Sequence, residues 1–171
     1  MSDPTGGQDG HAPLPPGMLP RMLLTWRAPR RVMRAQRALT DAALVVVLLA
    51  AMALFFAAQL PVHKSAALAD PSIPMEARVG GALFALIGIA PLLAYGAAAL
   101  LSALSRGRLP GHAARVALFW ALLAVAPAVL LCGLVEGLLG RHPALQGLQL
   151  ATFAAFLWFW ISGLRAFWGK A

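Results

Sequence analysis

The residue best suited to chemistry is Glu136, a carboxylate inside an apolar stretch that runs from residue 114 to residue 140. An ionisable side chain within a membrane span is costly, so Glu136 is a candidate functional residue. It also lies only about 6 Å of helical rise from the end of this stretch. There it can extend to the membrane interface or pair with Arg141. A functional carboxylate and a merely interfacial one are both open interpretations.

The same stretch carries a proline and a pair of glycines at helical spacing. Pro127 lies at its middle and deprives the Leu123 carbonyl of its backbone hydrogen bond. Gly133 and Gly137 form a GxxxG pair, which lets a neighbouring helix approach closely. The pattern predicts a kinked span that packs tightly near one end.

A second proline, Pro91, interrupts the apolar stretch that comes before. It frees the carbonyl of Ile87, and Tyr95 follows one turn later with a hydroxyl to offer. Pro91 and Pro127 fall at similar depths on predicted antiparallel neighbours, a pattern found at transporter sites. Because no charged residue stands beside either proline, a packing kink is the alternative interpretation.

No sequence motif of a known reaction centre is present. The chain lacks a P-loop, G-x-S-x-G, H-E-x-x-H, C-x-x-C and a dinucleotide-binding fingerprint. Its single cysteine, Cys132, excludes an intrachain disulfide and a cysteine-rich metal site. We therefore predict that the protein is not an enzyme and has no catalytic residue, metal site or cofactor.

Composition predicts the class of protein that positions these residues. Of the 171 residues, 60% are hydrophobic and 12% are charged, whereas soluble domains have about 45–50% and about 25%. The bilayer is the simplest environment for such a chain. The net charge of +8 does not indicate a nucleic-acid partner, because the basic residues cluster beside apolar segments, as in membrane proteins.

Four apolar segments are long enough to cross a bilayer as helices. They run over about residues 42–60, 81–104, 114–140 and 148–168, and Pro61 is expected to end the first helix. Residues 62–78 are predicted to form a solvated loop. The fold class is therefore an all-α membrane protein, a four-transmembrane-helix bundle that occupies residues 42–168.

The N-terminal region divides into two predicted parts. Residues 1–20 are rich in Pro and Gly and are expected to be disordered. Residues 21–41 are expected to form a basic amphipathic helix in the headgroup plane, with Pro29 in its first turn and Trp26 at the same interface. The alternative is a plain stop signal of arginines. The arginines predicted to contact anionic lipid headgroups are Arg27, Arg30, Arg31, Arg34 and Arg37.

The distribution of positive charge predicts the topology. Eleven of the fourteen Lys and Arg residues fall in the N-terminal segment, the loop after the second span and the C-terminal part of the chain. Residues 169–171 follow the fourth span as the C-terminal end. The positive-inside rule then places both termini in the cytoplasm, across a bacterial inner membrane. Asp41, at the entrance of the first span, is expected to pair with Arg37 one turn before it.

The fourth span carries the aromatic run Trp158, Phe159 and Trp160 near its centre. Tryptophan prefers interfaces, so at least one buried indole N–H is expected to find a partner such as Ser162, Thr152 or a carbonyl freed by a proline. Alternatively, Trp158 and Trp160 form a docking face for another membrane protein or a second copy, as the GxxxG pair also does.

Three stretches resemble the Yip1-domain family of small polytopic membrane proteins in its alphaproteobacterial form. They are the lead-in WRAPRRVMR (residues 26–34), the block MEARVGGALFALIGIAPLLAYGAAAL (residues 75–100) and ARVALFWALLAVAPAVLLCGLVEGLLG (residues 114–140). The resemblance covers roughly residues 24–163. It implies a helical membrane protein with a role like that of relatives linked to vesicle traffic, and it supplies no catalytic residues. The family commonly has five spans, whereas four are predicted here.

Three hypotheses follow from different classes. A non-enzymatic scaffold or assembly factor predicts a closed bundle without a polar cavity. A small transporter or channel subunit predicts a water-filled cavity that reaches Pro91 and Pro127 and an activity that depends on Glu136. A lipid-modifying enzyme would need clustered polar residues at one interface, with His112 or His142 as its starting point.

Overall fold

The structure, a computed structural model, describes residues 17–106, 108–140 and 142–168. Within them, four helices are long and apolar enough to cross a membrane. The predicted all-α class with four spans is confirmed. Most of the predicted tail (residues 1–16) and the C-terminal end (residues 169–171) lie outside the described residues, as does Arg141.

Two short helices precede the four spans. The second span is a single run, Met75–Leu104, in which a π turn over Phe84–Ile89 joins α4 to α5. A 3-10 turn, Gln36–Ala38, follows α2. The helices are α1 (Met18–Thr25), α2 (Pro29–Ala35), α3 (Asp41–Ala69), α4 (Met75–Leu83), α5 (Ala90–Leu104), α6 (Gly111–Leu139) and α7 (Pro143–Phe167).

The first span is longer than the sequence predicted. α3 passes through Pro61 and ends at Ala69, so the prediction that Pro61 ends this helix is wrong. An interior proline costs one backbone hydrogen bond, but membrane helices tolerate it where a neighbouring helix covers the break. Here the Pro61 side chain and backbone lie against Gly137 of α6. Much of the predicted loop is consequently helical.

The connection between α3 and α4 is a short, ordered turn over residues 70–74. Asp70 accepts hydrogen bonds from the Ser72 hydroxyl (2.5 Å) and the Ser72 N–H (3.1 Å), and Arg78 Nη2 donates to the Asp70 carbonyl (3.1 Å). The bonds from Ser72, together with the nearby Arg78 guanidinium, hold the pKa of Asp70 below its usual range. The turn is fixed by local polar contacts at the surface.

The irregularity predicted at Pro91 takes the form of a π turn. The Ala90 N–H donates to the Ala85 carbonyl, five residues back, just before the proline. A wider turn keeps the Pro91 ring clear of the preceding carbonyls, so the helix continues. Ile87 is 59% exposed whereas Leu86 is buried in the core, so the Ile87 face of this turn points away from the bundle.

α6 is the central helix, as its sequence suggested. Half (50%) of the most apolar 18-residue segment of α6 is buried, compared with 17% of the corresponding segment in Met75–Leu104. It contacts α3, α5, α7 and both N-terminal helices. Within the described part of the chain, α3 and α7 flank α6 and have no extensive contact with each other. The bundle is therefore open along one side of α6.

One end of the bundle gathers the starts of α3 and α6. Asp41 Oδ1 accepts from Arg115 Nη2 at 2.9 Å and lies 3.2 Å from His112 Nδ1. The predicted partner of Asp41 is wrong, because the Arg37 guanidinium instead lies 5.0 Å from the ring centroid of Phe167, at the end of α7. Arg37, His112 and Arg115 thus lie at the end of the bundle where α3 and α6 start and α7 ends.

Candidate functional site

A groove of about 480 Å³ opens beside α6, between α3 and α7. We call it the polar groove, because hydrogen-bonding side chains line it together with aromatic and aliphatic ones. The residues that line the groove recur every three or four positions on each helix, so they share one helical face. Its polar side chains are Gln59, His63, Glu136, Gln149 and Thr152.

Glu136, the leading candidate of the sequence, is half-buried and lines this groove. It therefore faces a cavity between three spans instead of an isolated helix surface. Its predicted pairing with Arg141 lies outside the described residues. The carboxylate stands about 5 Å of helical rise before the end of α6, so the polar groove begins close to that end of the bundle.

The GxxxG pair brings α6 into backbone contact with α3. A Cβ atom on Gly133 would overlap the carbonyl oxygen of Ala58, and one on Gly137 would overlap the side chain of Pro61. The predicted close helix approach is confirmed, and it occurs within the chain. α3 of the same chain covers this glycine surface, and Gly133 also forms part of the groove wall.

Two polar contacts set the chemistry of the groove interior. Cys132 Sγ lies 3.4 Å from Thr152 Oγ1, and the Thr152 hydroxyl donates to the Leu148 carbonyl at 2.8 Å. His63 Nε2 is buried and, within the described part of the chain, has no hydrogen-bond partner. A buried unpaired nitrogen costs free energy, so His63 Nε2 is an unsatisfied group beside the groove.

The proline pair and Tyr95 belong to other parts of the bundle. Neither Pro91 nor Pro127 lines the polar groove, and Pro127 is exposed. Tyr95 packs edge-on against Phe119, with ring centroids 5.0 Å apart. The transporter hypothesis predicted one cavity that reaches Glu136 and both prolines. The structure instead places the two prolines outside the cavity that Glu136 lines. The scaffold hypothesis predicts a closed bundle without a polar cavity; the groove is lined mostly by apolar surface, so this point stays a prediction.

The N-terminal segment packs along α6 and α7 as a pair of short helices. The single interfacial helix predicted over residues 21–41 is thus broken after Thr25. Trp26 Nε1 donates to the Ala124 carbonyl at 3.1 Å, and its ring meets Phe159 edge-on at 5.0 Å. Ala124 is about 20 Å of helical rise from the start of α6. Trp26 therefore reaches well down the bundle.

A second indole hydrogen bond fixes the same segment. Trp120 Nε1 of α6 donates to Thr25 Oγ1 at 3.0 Å, and the Thr25 hydroxyl donates to the Arg21 carbonyl at 2.7 Å. Trp120 is 2% exposed and Thr25 is fully buried. Breaking this bond would leave a polar group unpaired in the interior, so the bond holds α1 against the central helix.

The amphipathic pattern of α2 is confirmed, but its apolar side packs on protein instead of lipid. Val32 and Met33 are fully buried, and Met33 reaches Gly163 of α7. The arginines point outwards and line a shallow pocket of about 390 Å³ with Trp158 and Ser162. We call this the basic surface; its arginines are Arg27, Arg30, Arg31 and Arg34.

The aromatic run of α7 divides between interior and surface. Trp158 is 62% exposed beside the basic surface, whereas Phe159 is buried. Trp160 Nε1 is buried without a partner among the described residues, so the expected indole partner is not found there. The indole that donates to a carbonyl near Pro127 belongs to Trp26 instead.

Sequence reasoning missed most of the polar groove. With the first helix taken to end at Pro61, His63 was assigned to a loop. Gln59 and His63 are four residues apart, and Gln149 and Thr152 are three apart, so each pair shares one helical face. That spacing could have predicted the polar faces. For Gln59 and His63 the prediction also requires that α3 continues through Pro61.

No family model, curated protein or solved structure matches this chain. Fold and site together define an integral membrane protein of four helical spans. The resemblance to the Yip1-domain family stays a prediction.

Proposed function

We propose that this chain is a non-enzymatic membrane scaffold, assembly or trafficking-like factor of the Yip1-like kind. It would act in the bacterial inner membrane, with both termini in the cytoplasm. The observation that carries the proposal is the basic surface, which joins several arginines to an exposed tryptophan on a segment locked to the bundle.

Rigid attachment distinguishes this surface from a loose basic tail. Two buried or half-buried indole bonds, from Trp26 and Trp120, tie the segment to its neighbours. The backbone of α2 therefore keeps a fixed position relative to Trp158. A fixed arrangement loses less conformational entropy on binding than a flexible one, which favours a docking role.

The chemistry of the surface suits anionic lipid headgroups and a membrane-protein partner. Arginine forms bidentate hydrogen bonds with phosphate, and each basic residue near an anionic leaflet contributes about 1 kcal/mol. Tryptophan is enriched among the residues that dominate binding interfaces. We infer that lipid phosphates neutralise part of this cluster while Trp158 contacts the partner.

The proposed orientation rests on charge. The starts of α3 and α6 and the end of α7 lie at one end of the bundle. The chain segments that flank these helix ends contain most of the Lys and Arg residues. The positive-inside rule assigns that end to the cytoplasm. The basic surface then belongs to the cytoplasmic half of the molecule.

A photo-crosslinking amino acid at position 158 tests this role in native membranes. We expect one recurring partner to be captured there and not from position 92, where Leu92 is similarly exposed (73%). The double variant Arg30→Gln/Arg34→Gln should reduce capture several-fold. Equal capture from both positions, or capture that ignores the two arginines, would contradict the proposal.

A small transporter or channel subunit is the second candidate, and the position of Glu136 in the polar groove favours it. Flux measurements in proteoliposomes with wild-type protein and Glu136→Gln address it directly. A solute flux lost in the variant, together with no partner at position 158, would replace the scaffold proposal.

A further inference from the structure

The polar groove separates its polar and apolar lining along the membrane normal. Glu136 lies near the end of α6, whereas Leu122 is about 21 Å of helical rise further in. Phe55 and Phe156 line it with Leu122 on the neighbouring helices. One leaflet of hydrocarbon is about 15 Å thick, so the groove is long enough for a lipid chain with its headgroup at the polar end.

The groove opens sideways between α3 and α7. Phe153, in its wall, is 57% exposed, and these helices present their outer faces to the bilayer. An occupant can therefore enter from the bilayer without crossing water. Its volume of about 480 Å³ falls within the usual range of ligand sites, about 300–1,000 Å³.

The polar end favours a hydrogen-bond donor with positive charge. Among the described residues that line the groove, Glu136 is the one carboxylate, and neither Lys nor Arg is present. Gln59 and Gln149 add neutral donors and acceptors, and His63 Nε2 is unpaired. A carboxylate in this setting is stabilised by a charge-assisted bond from an ammonium group.

We propose that the polar groove binds one phospholipid whose headgroup carries a primary amine, such as phosphatidylethanolamine. The ammonium group donates to Glu136, and the exposed Gln59 and Gln149 hydrogen-bond the phosphate and ester region. One acyl chain follows α6 past Val129 towards Leu122. The bound lipid fills the space that α3 and α7 leave open, and this role does not depend on the scaffold function.

The test compares two lipids that differ in their amine. Phosphatidylcholine has the same phosphate but no N–H donor. Full-length protein is reconstituted in nanodiscs with equal amounts of both lipids, released into mild detergent and analysed for retained lipid by native mass spectrometry. We expect phosphatidylethanolamine to be retained about tenfold over phosphatidylcholine, as one charge-assisted bond implies.

Glu136→Gln should bring this ratio close to one, and Glu76→Gln is the matched control, because Glu76 is exposed at the start of α4. Thermal unfolding of each variant in detergent establishes that it folds. Equal retention of the two lipids by the wild type, or an unchanged ratio in folded Glu136→Gln, would overturn the proposal. Loss of the preference in Glu76→Gln as well would also overturn it.

A second variant tests the acyl-chain path independently of charge. Val129→Phe adds bulk inside the groove and should lower retention of both lipids several-fold, whereas Val46→Phe, at a site 60% exposed, should not. Equal retention by the two variants would reject the groove as the chain site. Partner capture at position 158 is measured separately, so failure here leaves the scaffold proposal standing.

Discussion

The indole N–H groups of three tryptophans differ in whether they find a hydrogen-bond partner in this bundle. Trp26 donates to a backbone carbonyl of α6, and Trp120 donates to the Thr25 hydroxyl. Trp160 Nε1 is buried and, among the described residues, unpaired. An unsatisfied buried donor costs about 1–3 kcal/mol, so the first two bonds determine where the N-terminal segment lies.

The two glycines of the GxxxG pair matter because α3 backbone and Pro61 occupy the space of their missing side chains. We predict that Gly133→Ala destabilises the protein by about 1–3 kcal/mol, since α3 must move away from α6. The measurement is the free energy of unfolding in detergent, by denaturant titration.

Gly96→Ala is the matched control for that substitution. A Cβ atom on Gly96 meets nothing within 4 Å, and alanine has the higher helix propensity, worth up to about 1 kcal/mol. The control should therefore be neutral or slightly stabilised. Equal destabilisation of both variants would show that the α3–α6 contact is not as close as described.

At the scale of elements, two prolines are accommodated in two ways. α3 continues through Pro61, whose ring is covered by Gly137 of α6. The second span widens into a π turn just before Pro91, on a face that points outwards. Before Pro91 the wider turn removes the clash of the ring with the preceding carbonyls, whereas at Pro61 the neighbouring helix covers the break.

The N-terminal helix pair is held to the bundle by few polar contacts, so one of them can be tested alone. We predict that Thr25→Val, which keeps the side-chain shape and removes the hydroxyl, weakens the attachment by about 1–3 kcal/mol. Hydrogen exchange of residues 18–38 should then become faster, while exchange in α6 stays slow.

Ser65→Ala removes a hydroxyl of similar type that donates to the Val62 carbonyl at an exposed site. Exchange of residues 18–38 should be unchanged in this variant. Faster exchange throughout the protein in Thr25→Val would mean that the hydroxyl stabilises the whole bundle and not the attachment of α1.

The whole molecule is organised around α6, with a different surface towards each end. The basic surface and the Asp41–Arg115 pair lie towards the start of that helix, whereas the polar groove extends to Glu136 near its finish. The arginines and the polar end of the groove therefore lie towards opposite ends of the bundle, whereas the apolar end of the groove reaches the depth of Trp158.

Topology is a property of the whole chain, and cysteine accessibility measures it. In a Cys132→Ala background, Ser72→Cys lies in the turn between α3 and α4, and Ser2→Cys lies in the N-terminal region. We predict that an impermeant thiol reagent labels Ser72→Cys in intact spheroplasts but labels Ser2→Cys only after permeabilisation. The reverse pattern would contradict the proposed orientation.

The sequence alone determined the class of the fold, because four apolar stretches of this length are stable as helices in the hydrocarbon core of a bilayer. It also identified the central helix and the glycine pair, since helical spacing is local information. The position of the N-terminal arginine segment and the end of α3 depended on contacts from distant residues: the Ala124 carbonyl and Gly137.

The polar groove was decided only by tertiary structure. Gln59, Glu136 and Gln149 are far apart in the chain, and each alone resembles an ordinary polar residue near a helix end. They form one cavity because α3 and α7 both pack on α6 and diverge from each other. Helix divergence depends on packing between surfaces, which no single stretch of sequence encodes.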